Sequence, residues 1–144
     1  MQMGMVFNET LRLYPPVPGL VRKVKREVKL GNLILPANLQ IYLPILAIHH
    51  DPQIWGEDAD EFKPERFSDG VAELTKNNPG AYLPFGMGPR NCVGGNFGLT
   101  EARITLSMIL QRYNLTLSPT YVHLPLQLLT VRPKHGVQVI LQPL

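Results

Sequence analysis

One short segment concentrates the residues whose types and spacing could do chemistry. Residues 85–94 read FGMGPRNCVG and place Cys92, the single cysteine of the chain, in a glycine-rich loop directly before an apolar stretch. Glycine lets a backbone approach a ligand closely. Backbone N–H groups at the start of a helix favour the thiolate form of a cysteine, and Arg90 adds a cation two residues earlier. The segment predicts a functional thiolate, with a buried structural cysteine as the alternative.

The other groups that could join such a thiolate give weaker signals. A Cys–His hydrolase would need His123 or His135 beside Cys92, an approach that the spacing does not establish. His49 and His50 are adjacent, so they point apart on a helix, and no carboxylate lies at ligand spacing from them. We therefore predict a structural role for this histidine pair. One cysteine also excludes an internal disulfide framework and a multi-cysteine zinc site.

Composition and charge exclude several broad classes of protein. The 144 residues are 44% hydrophobic and 17% charged, which is typical of a globular chain, whereas 14 prolines and 12 glycines argue against a plain helix bundle. The net charge of +3 is local, since residues 21–30 carry five basic residues against one acidic residue. We interpret this run as a solvated strand face, with docking to a reductase or an anionic membrane as the alternative. No nucleic-acid partner is predicted.

The elements that must position the loop follow from periodicity and breakers. In the first half, the pattern predicts a helix over 2–14 that Pro15 and Pro16 end, and a half-exposed strand over 20–30. A turn at Gly31-Asn32 leads to short strands over 33–35 and 39–43. A helix over 47–56 would end at Gly56.

The second half of the chain predicts an irregular segment, a long helix and a hairpin. Residues 57–83 predict an ordered but irregular meander. Residues 95–113 predict the longest helix, apolar on more than one stripe and therefore buried on most sides. A terminal hairpin would pair 124–131 with 137–141 around Pro133 and Gly136.

Three ordered patterns give the sequence a family resemblance. Phe85, Gly88, Arg90, Cys92 and Gly94 fit Phe-x-x-Gly-x-Arg-x-Cys-x-Gly, which resembles the haem-binding signature of the cytochrome P450 family. Residues 9–12, Glu-Thr-Leu-Arg, resemble its Glu-x-x-Arg motif, and residues 64–67, Pro-Glu-Arg-Phe, resemble its meander motif. Residues 55–67 and 129–141 further resemble the plant microsomal clan of cytokinin hydroxylase-like and gibberellin-oxidising enzymes.

The resemblance implies a fold and a place within it. Residues 1–144 would be an α+β fragment of the mainly α cytochrome P450 fold: the C-terminal portion of a single domain, with the N-terminal two thirds absent. Gly95 and Gly98 depart from the family pattern, which usually has a larger residue and an alanine there. Because glycine within a helix costs roughly 0.5–1 kcal/mol relative to alanine, this helix is expected to be weakened.

The resemblance also implies a cofactor site. Cys92 would be the proximal ligand of the iron of haem b, and Phe85 would shield its sulfur. Arg90, and Arg22 from the strand region, would pair with haem propionates. An alternative for Arg22 is a solvated strand charge. The loop glycines assigned to haem binding are Gly86, Gly88 and Gly94.

A separate structural network is implied for Glu9, Arg12 and Arg66. Glu9 and Arg12 are three residues apart and can pair on one helix face. With Arg66 they would lock the meander against the core, without a catalytic role.

The implied activity is that of a haem-thiolate monooxygenase. It would insert one oxygen of O₂ into a C–H bond of a small lipophilic substrate, with electrons from NADPH through a flavoprotein reductase, at the endoplasmic reticulum membrane. Residues 16–21 and 124–130 would face the substrate. As written, the chain carries no anchor or distal haem face, so we expect a soluble or peripheral chain that is inactive alone. The alternative is a non-catalytic truncated remnant that does not bind haem.

Overall fold

The computed structural model describes residues 2–144 and begins with helix α1, Gln2–Leu13. The prediction of a first helix is confirmed, and the chain leaves it ahead of Pro15 and Pro16. The buried residues of α1 are Glu9, Arg12 and Leu13, so this helix turns an ion pair as well as an aliphatic side chain toward the interior.

Four short strands follow, in two antiparallel pairs. They are β1 Leu20–Lys23, β2 Val28–Leu30, β3 Leu33–Leu35 and β4 Gln40–Leu43. β1 pairs with β4, and β2 pairs with β3 through the predicted turn at Gly31, whose φ of +58° suits glycine.

The prediction of one continuous strand over 20–30 is wrong. Val24 is buried and leaves the β1–β4 register. Its N–H donates to the Leu39 carbonyl at 2.9 Å, and its carbonyl accepts from the Asn38 N–H at 2.7 Å. Burial of this one apolar side chain bends the chain between β1 and β2, and the basic residues that follow stay exposed.

Two short helices replace the single helix predicted over 47–56. They are α2, Ile45–His49, and α3, Pro52–Trp55. The Asp51 carboxylate caps α3 by accepting from the Gln53 N–H at 2.9 Å, and Pro52, which has no N–H, occupies the first turn. A helix could not continue through this pair. Gly56, with φ of +90°, ends α3 as predicted.

The meander over 57–83 is ordered and mostly irregular, as predicted. It holds one 3₁₀ turn, Pro64–Phe67, and the one-turn helix α4, Val71–Leu74. Its apolar side chains Ala59, Phe67 and Ala81 form a buried cluster with Trp55 of α3, and Met5 of α1 packs against this cluster. The cluster attaches the meander to the first helix.

The C-terminal part contains α5, Gly95–Leu110, and four more strands. They are β5 Tyr113–Leu117, β6 Pro125–Gln127, β7 Val131–Pro133 and β8 Val139–Pro143. A terminal hairpin is present, but it joins β6 to β7. The predicted partner strand, β8, pairs instead with β5, which follows α5 directly. The pairing predicted between 124–131 and 137–141 is therefore wrong.

Helix α5 is not buried on most sides within the part of the chain that the structure describes. Gly95 is its one buried residue, and Phe97 is 75% exposed. Ile104 and Met108 are also exposed, so residues 2–144 leave part of the apolar surface of α5 uncovered. Among these residues no helix is both long and apolar enough to cross a membrane.

Candidate functional site

The loop that carries Cys92 is shaped by two glycines and closed by one backbone bond. Gly86 and Gly88 both have φ of +77°, a conformation that side chains disfavour. The Cys92 N–H donates to the Phe85 carbonyl at 2.9 Å, which fixes the cysteine over the start of the loop. Cys92 is exposed and lies three residues before Gly95, the first residue of α5. The thiol is therefore held on a fixed backbone and open to a ligand.

Space around the loop is uneven. A Cβ added to Gly88 or Gly94 would meet no atom of the described residues within 4 Å, so these positions border open volume. At Gly95 the same atom would lie 3.2 Å from Cγ of Phe85. The Phe85 ring occupies the space that a larger residue at 95 would need, which gives a local reason for glycine there.

A cavity of about 300 Å³ lies beside the thiol. Cys92, Gly86 and Arg90 border it on the loop side, and Pro16 and Leu20 border it from the segment after α1. Two sequence-distant parts of the chain thus meet at the cysteine.

Two guanidinium groups belong to this region. Arg90 is exposed and borders the cavity. Arg22 is half-buried on β1, and its Nη2 lies 4.0 Å from the Cβ position of Gly86. Its one hydrogen bond among the described residues goes to the neighbouring Val21 carbonyl at 3.1 Å, so most of its donors are available to an anion.

A buried ion pair connects α1 to the elements that precede the loop. Arg12 donates to both carboxylate oxygens of Glu9, at 2.8 and 2.9 Å, and neither side chain has any exposed surface. Nη1 of Arg12 also donates to the carbonyls of His49 at 2.7 Å and Ala59 at 2.6 Å. The guanidinium lies 5.0 Å from the centre of the Trp55 ring. One arginine therefore joins α1, α2 and the meander.

Arg66 approaches the same pair from the meander. Its Nε lies 3.5 Å from Oε1 of Glu9, too far for a hydrogen bond, and this nitrogen has no hydrogen-bond partner among residues 2–144. Its terminal nitrogens donate to the Trp55 carbonyl at 3.0 Å and to Asp58. The structure thus brings Glu9, Arg12 and Arg66 together, with Arg66 held mainly by the meander.

These contacts set the charge states of the carboxylates. Burial by itself raises the pKa of Glu9, but hydrogen bonds from Arg12 and the Lys63 N–H, with the charges of Arg12 and Arg66, outweigh it and hold that pKa below its ordinary value. Hydrogen bonds from Lys63 and Arg66 lower the pKa of Asp58 to about 2. Both groups are carboxylates at neutral pH.

His49 is a further residue of this region that the sequence analysis treated only as structural. It is fully buried, and its ring stacks on Tyr82 with centroids 5.4 Å apart. Nδ1 lies 3.1 Å from the Arg12 carbonyl, and Nε2 accepts from the Leu83 N–H at 2.8 Å. Its neighbour His50 instead contacts the Asp60 carboxylate at 2.6 Å and the Leu13 carbonyl. An i, i+37 contact to Arg12 leaves no periodic signal in a sequence.

The two segments predicted to face a substrate also meet. Pro18 and Pro125, one from each segment, border a second cavity of about 480 Å³. The Val131 N–H, one residue beyond the second segment, donates to the Pro16 carbonyl at 2.7 Å. His123 borders this second cavity and pairs with the Tyr121 hydroxyl at 2.8 Å. Within residues 2–144 no hydrogen bond joins His123 or His135 to Cys92, and no cluster of three or more metal-binding side chains is present.

Comparison with known proteins decides the family. The model of the family described as Cytochrome P450 matches residues 3–141. The chain belongs to the cytochrome P450 family. It is 65% identical to cytochrome P450 CYP749A22 of Panax ginseng over 98% of its length, and 55% identical to an 11-oxo-beta-amyrin 30-oxidase of Glycyrrhiza uralensis over 97%. In each case it spans 27% of the relative.

A solved structure supports the cytochrome P450 fold. Cyanobacterial CYP120A1 with retinoic acid bound matches 99% of this chain with a TM-score of 0.86 at 32% identity. This chain covers 32% of that structure. The α+β fragment of a P450 fold, predicted from the motifs, is confirmed.

The residues at the loop fit the haem that this family implies. Cys92 offers an exposed soft sulfur donor, which suits iron. Arg22 and Arg90 offer planar cations that suit carboxylates. Val93, which follows Cys92 in the sequence, and Phe97, in the first turn of α5, present exposed apolar surface. A donor, two cations and an apolar surface match the iron, the propionates and the ring of a haem.

Proposed function

We propose that this chain forms the proximal haem-binding part of a haem-thiolate monooxygenase, with Cys92 as the iron ligand. The observation that carries the proposal is the exposed thiol on a glycine-turned loop, fixed by the Cys92–Phe85 backbone bond beside a cavity and two arginines. When bound, haem would supply the oxygen chemistry: one atom of O₂ enters a substrate C–H bond, and the other leaves as water after taking up two electrons from NADPH and two protons.

The residues of this chain have separate tasks in the proposal. The Cys92 sulfur ligates the iron, and backbone N–H groups of the loop adjust how strongly that sulfur donates electrons to it. Arg22 and Arg90 bind the propionates and so orient the ring. Phe85 packs against Gly95 and keeps water from the sulfur side of the loop. Glu9, Arg12 and Arg66 hold the meander in place and take no part in the reaction.

Substrate and partners follow from the same family. A lipophilic substrate is supported by the apolar residues of the 16–21 and 124–130 segments, which both border the cavity of about 480 Å³ through Pro18 and Pro125. One relative is named an 11-oxo-beta-amyrin oxidase and the solved neighbour binds retinoic acid, both hydrocarbon-rich molecules. Electrons would come from a flavoprotein reductase, and the site of action would be the endoplasmic reticulum membrane.

The chain spans about a quarter of the length of the curated relatives that it matches. The monooxygenase activity would therefore need the other elements of a complete P450 domain. We propose that residues 1–144 are the C-terminal portion of one P450 domain. The exposed apolar face of α5 supports this, since it is the surface on which further elements of such a domain would pack.

The test is reconstitution of the gene product that contains residues 1–144, expressed over its whole reading frame. Purified protein with haem, NADPH and reductase is expected to oxidise apolar substrates. With carbon monoxide added, its reduced haem is expected to show the absorption band of a thiolate-ligated complex, called the thiolate-type carbonyl spectrum. Cys92→Ser should lose both, and Lys25→Ala, an exposed residue away from the loop, should lose neither. Failure of the wild type to take up haem would favour a non-catalytic remnant.

A further inference from the structure

We propose that His49 is a positioning residue for the Cys92 loop. Its neutral ring links the Arg12 carbonyl in α1 to the Leu83 amide at the entry to the loop, and protonation of the ring releases that amide. The proposal deepens the proposed function, since the loop in question is the one assigned to haem. The partners of His49 are backbone groups from two distant parts of the chain, 37 and 34 residues away.

The two hydrogen bonds define one tautomer. A carbonyl oxygen only accepts, so Nδ1, 3.1 Å from the Arg12 carbonyl, must carry the proton. A backbone N–H only donates, so Nε2, 2.8 Å from Leu83 N, must be bare. A second proton on the ring would set N–H against N–H at Leu83. The bond to the loop therefore exists only with the neutral ring.

Leu83 connects His49 to the loop through its two backbone groups. Its N–H is held by His49, and its carbonyl accepts from the Gly86 N–H at 3.0 Å. Gly86 opens the loop, and the next bond along, from Cys92 N–H to the Phe85 carbonyl, fixes the cysteine. Loss of the His49 bond would free the first peptide of this series, whose other bonds are local.

The groups around the ring favour the neutral form. Burial, with the charges of Arg12 and His50, lowers the pKa of His49 to about 4. Glu9, the acidic group on the facing side of α1, is already paired with Arg12. Tyr82, stacked on the ring, has a pKa raised by its own burial and stays neutral. No carboxylate among the described residues hydrogen-bonds to the His49 ring, so nothing there stabilises a proton on Nε2.

Two substitutions separate the two bonds. In His49→Gln the side-chain oxygen can reach the place of Nε2 and accept from Leu83 without titrating. In His49→Asn the shorter amide can serve only the place of Nδ1, leaving the Leu83 N–H unpaired. His50→Gln is the matched control, because His50 is adjacent and partly exposed and contacts Asp60 and Leu13 rather than the loop.

The experiment measures hydrogen exchange of the Leu83 amide and the thiolate-type carbonyl spectrum from pH 7 down to about pH 4, in the gene product that contains residues 1–144. In the wild type and in His50→Gln, protection of Leu83 and the thiolate band should fall together as the pH drops. His49→Gln should keep both at low pH. His49→Asn should lose about 5-fold or more of the protection at pH 7, since an unpaired buried amide costs about 1–3 kcal/mol, and should lose much of the band.

Three results would overturn the proposal: full protection of Leu83 in His49→Asn, a wild-type pH response in His49→Gln, or a normal thiolate band in His49→Asn although Leu83 exchanges freely. If no variant takes up haem, the proposed function fails by itself, and exchange at Leu83 still decides whether His49 holds the loop entry.

Discussion

Glu9 and Arg12 form a two-bonded ion pair, at 2.8 and 2.9 Å, from which solvent is entirely excluded. Pairs at this spacing on an exposed helix face contribute only a few tenths of a kcal/mol. Here the same guanidinium also holds the His49 and Ala59 carbonyls, so the pair is the point where α1, α2 and the meander meet. Breaking such a buried pair leaves one charge without a partner.

Glu9→Gln should therefore be strongly destabilising. The buried Arg12 guanidinium would lose its counter-charge while keeping its carbonyl partners, at a cost of roughly 3–5 kcal/mol. Haem incorporation should fail with it, because the meander leads directly into the loop. Urea unfolding and the carbonyl spectrum of the gene product that contains residues 1–144 measure the two effects.

Glu73 and Lys76 provide the matched control for this prediction. They form an ion pair at the same i, i+3 spacing, but both side chains are more than half exposed. Glu73→Gln should change the free energy of unfolding by less than about 1 kcal/mol. Equal effects of Glu9→Gln and Glu73→Gln would contradict the assigned role of the buried pair.

Gly95→Ala should destabilise the loop despite the better helix propensity of alanine. The added methyl would lie 3.2 Å from Phe85 Cγ, so the ring must shift to make room for it. Over-packing of this kind costs about 1–3 kcal/mol. Thermal unfolding and the width of the thiolate band report it.

Gly98→Ala, one turn later on α5, should act in the opposite direction. A Cβ there meets nothing within 4 Å among the described residues, so the propensity gain of roughly 0.5–1 kcal/mol is not offset by a clash within them. A higher unfolding temperature for Gly98→Ala, with a lower one for Gly95→Ala, is the expected pair of results. The reverse order would show that Phe85 does not restrict position 95.

Arg22→Ala should weaken haem retention while leaving the fold intact. The guanidinium makes one local hydrogen bond among the described residues, so its removal disturbs little structure, whereas a lost charge-assisted bond to a propionate costs about 1.5–3 kcal/mol. Haem transfer to apomyoglobin should be about 10-fold faster or more. Lys25→Ala, which removes an exposed charge of the same basic run, is the control, and an equal rate in both variants would favour a solvated role for Arg22.

The pH dependence of stability should carry the signature of His49. Its pKa is about 4 when folded and near the ordinary 6.5 when unfolded, so between these values the unfolded chain binds the extra proton. Stability therefore falls as the pH drops from about 6.5 to about 4, by up to an amount on the order of 3 kcal/mol, and this term changes no further below that. Denaturant unfolding of wild type and His49→Gln should diverge in that window. Parallel curves would contradict a neutral buried ring.

Local sequence signals predicted many of the boundaries of helices and turns. Pro15-Pro16 after α1, Gly31 between β2 and β3, and Gly56 after α3 act through backbone geometry alone, and all three appear where predicted. The interruption between α2 and α3 was also readable, because an aspartate before Pro52 is a strong start signal. The prediction of one helix over 47–56 nevertheless ran through this signal.

Long-range features were not readable in this way. The pairing of β5 with β8 depends on where α5 delivers the chain, and turn residues near Gly136 do not report that. The burial of α5 was overestimated because an apolar stripe shows that a partner is needed, without placing that partner within residues 2–144. The contacts of His49 with Arg12 and Leu83 join three separate segments, and only the folded chain shows them.

The proposed function depends on a bond between the Cys92 sulfur and the haem iron. Iron K-edge X-ray absorption on the haem-loaded gene product tests it without any assay of activity. One sulfur neighbour of the iron is expected in the wild type and none in Cys92→Ser. Haem that binds with no sulfur neighbour, or a sulfur signal that survives in Cys92→Ser, would contradict it.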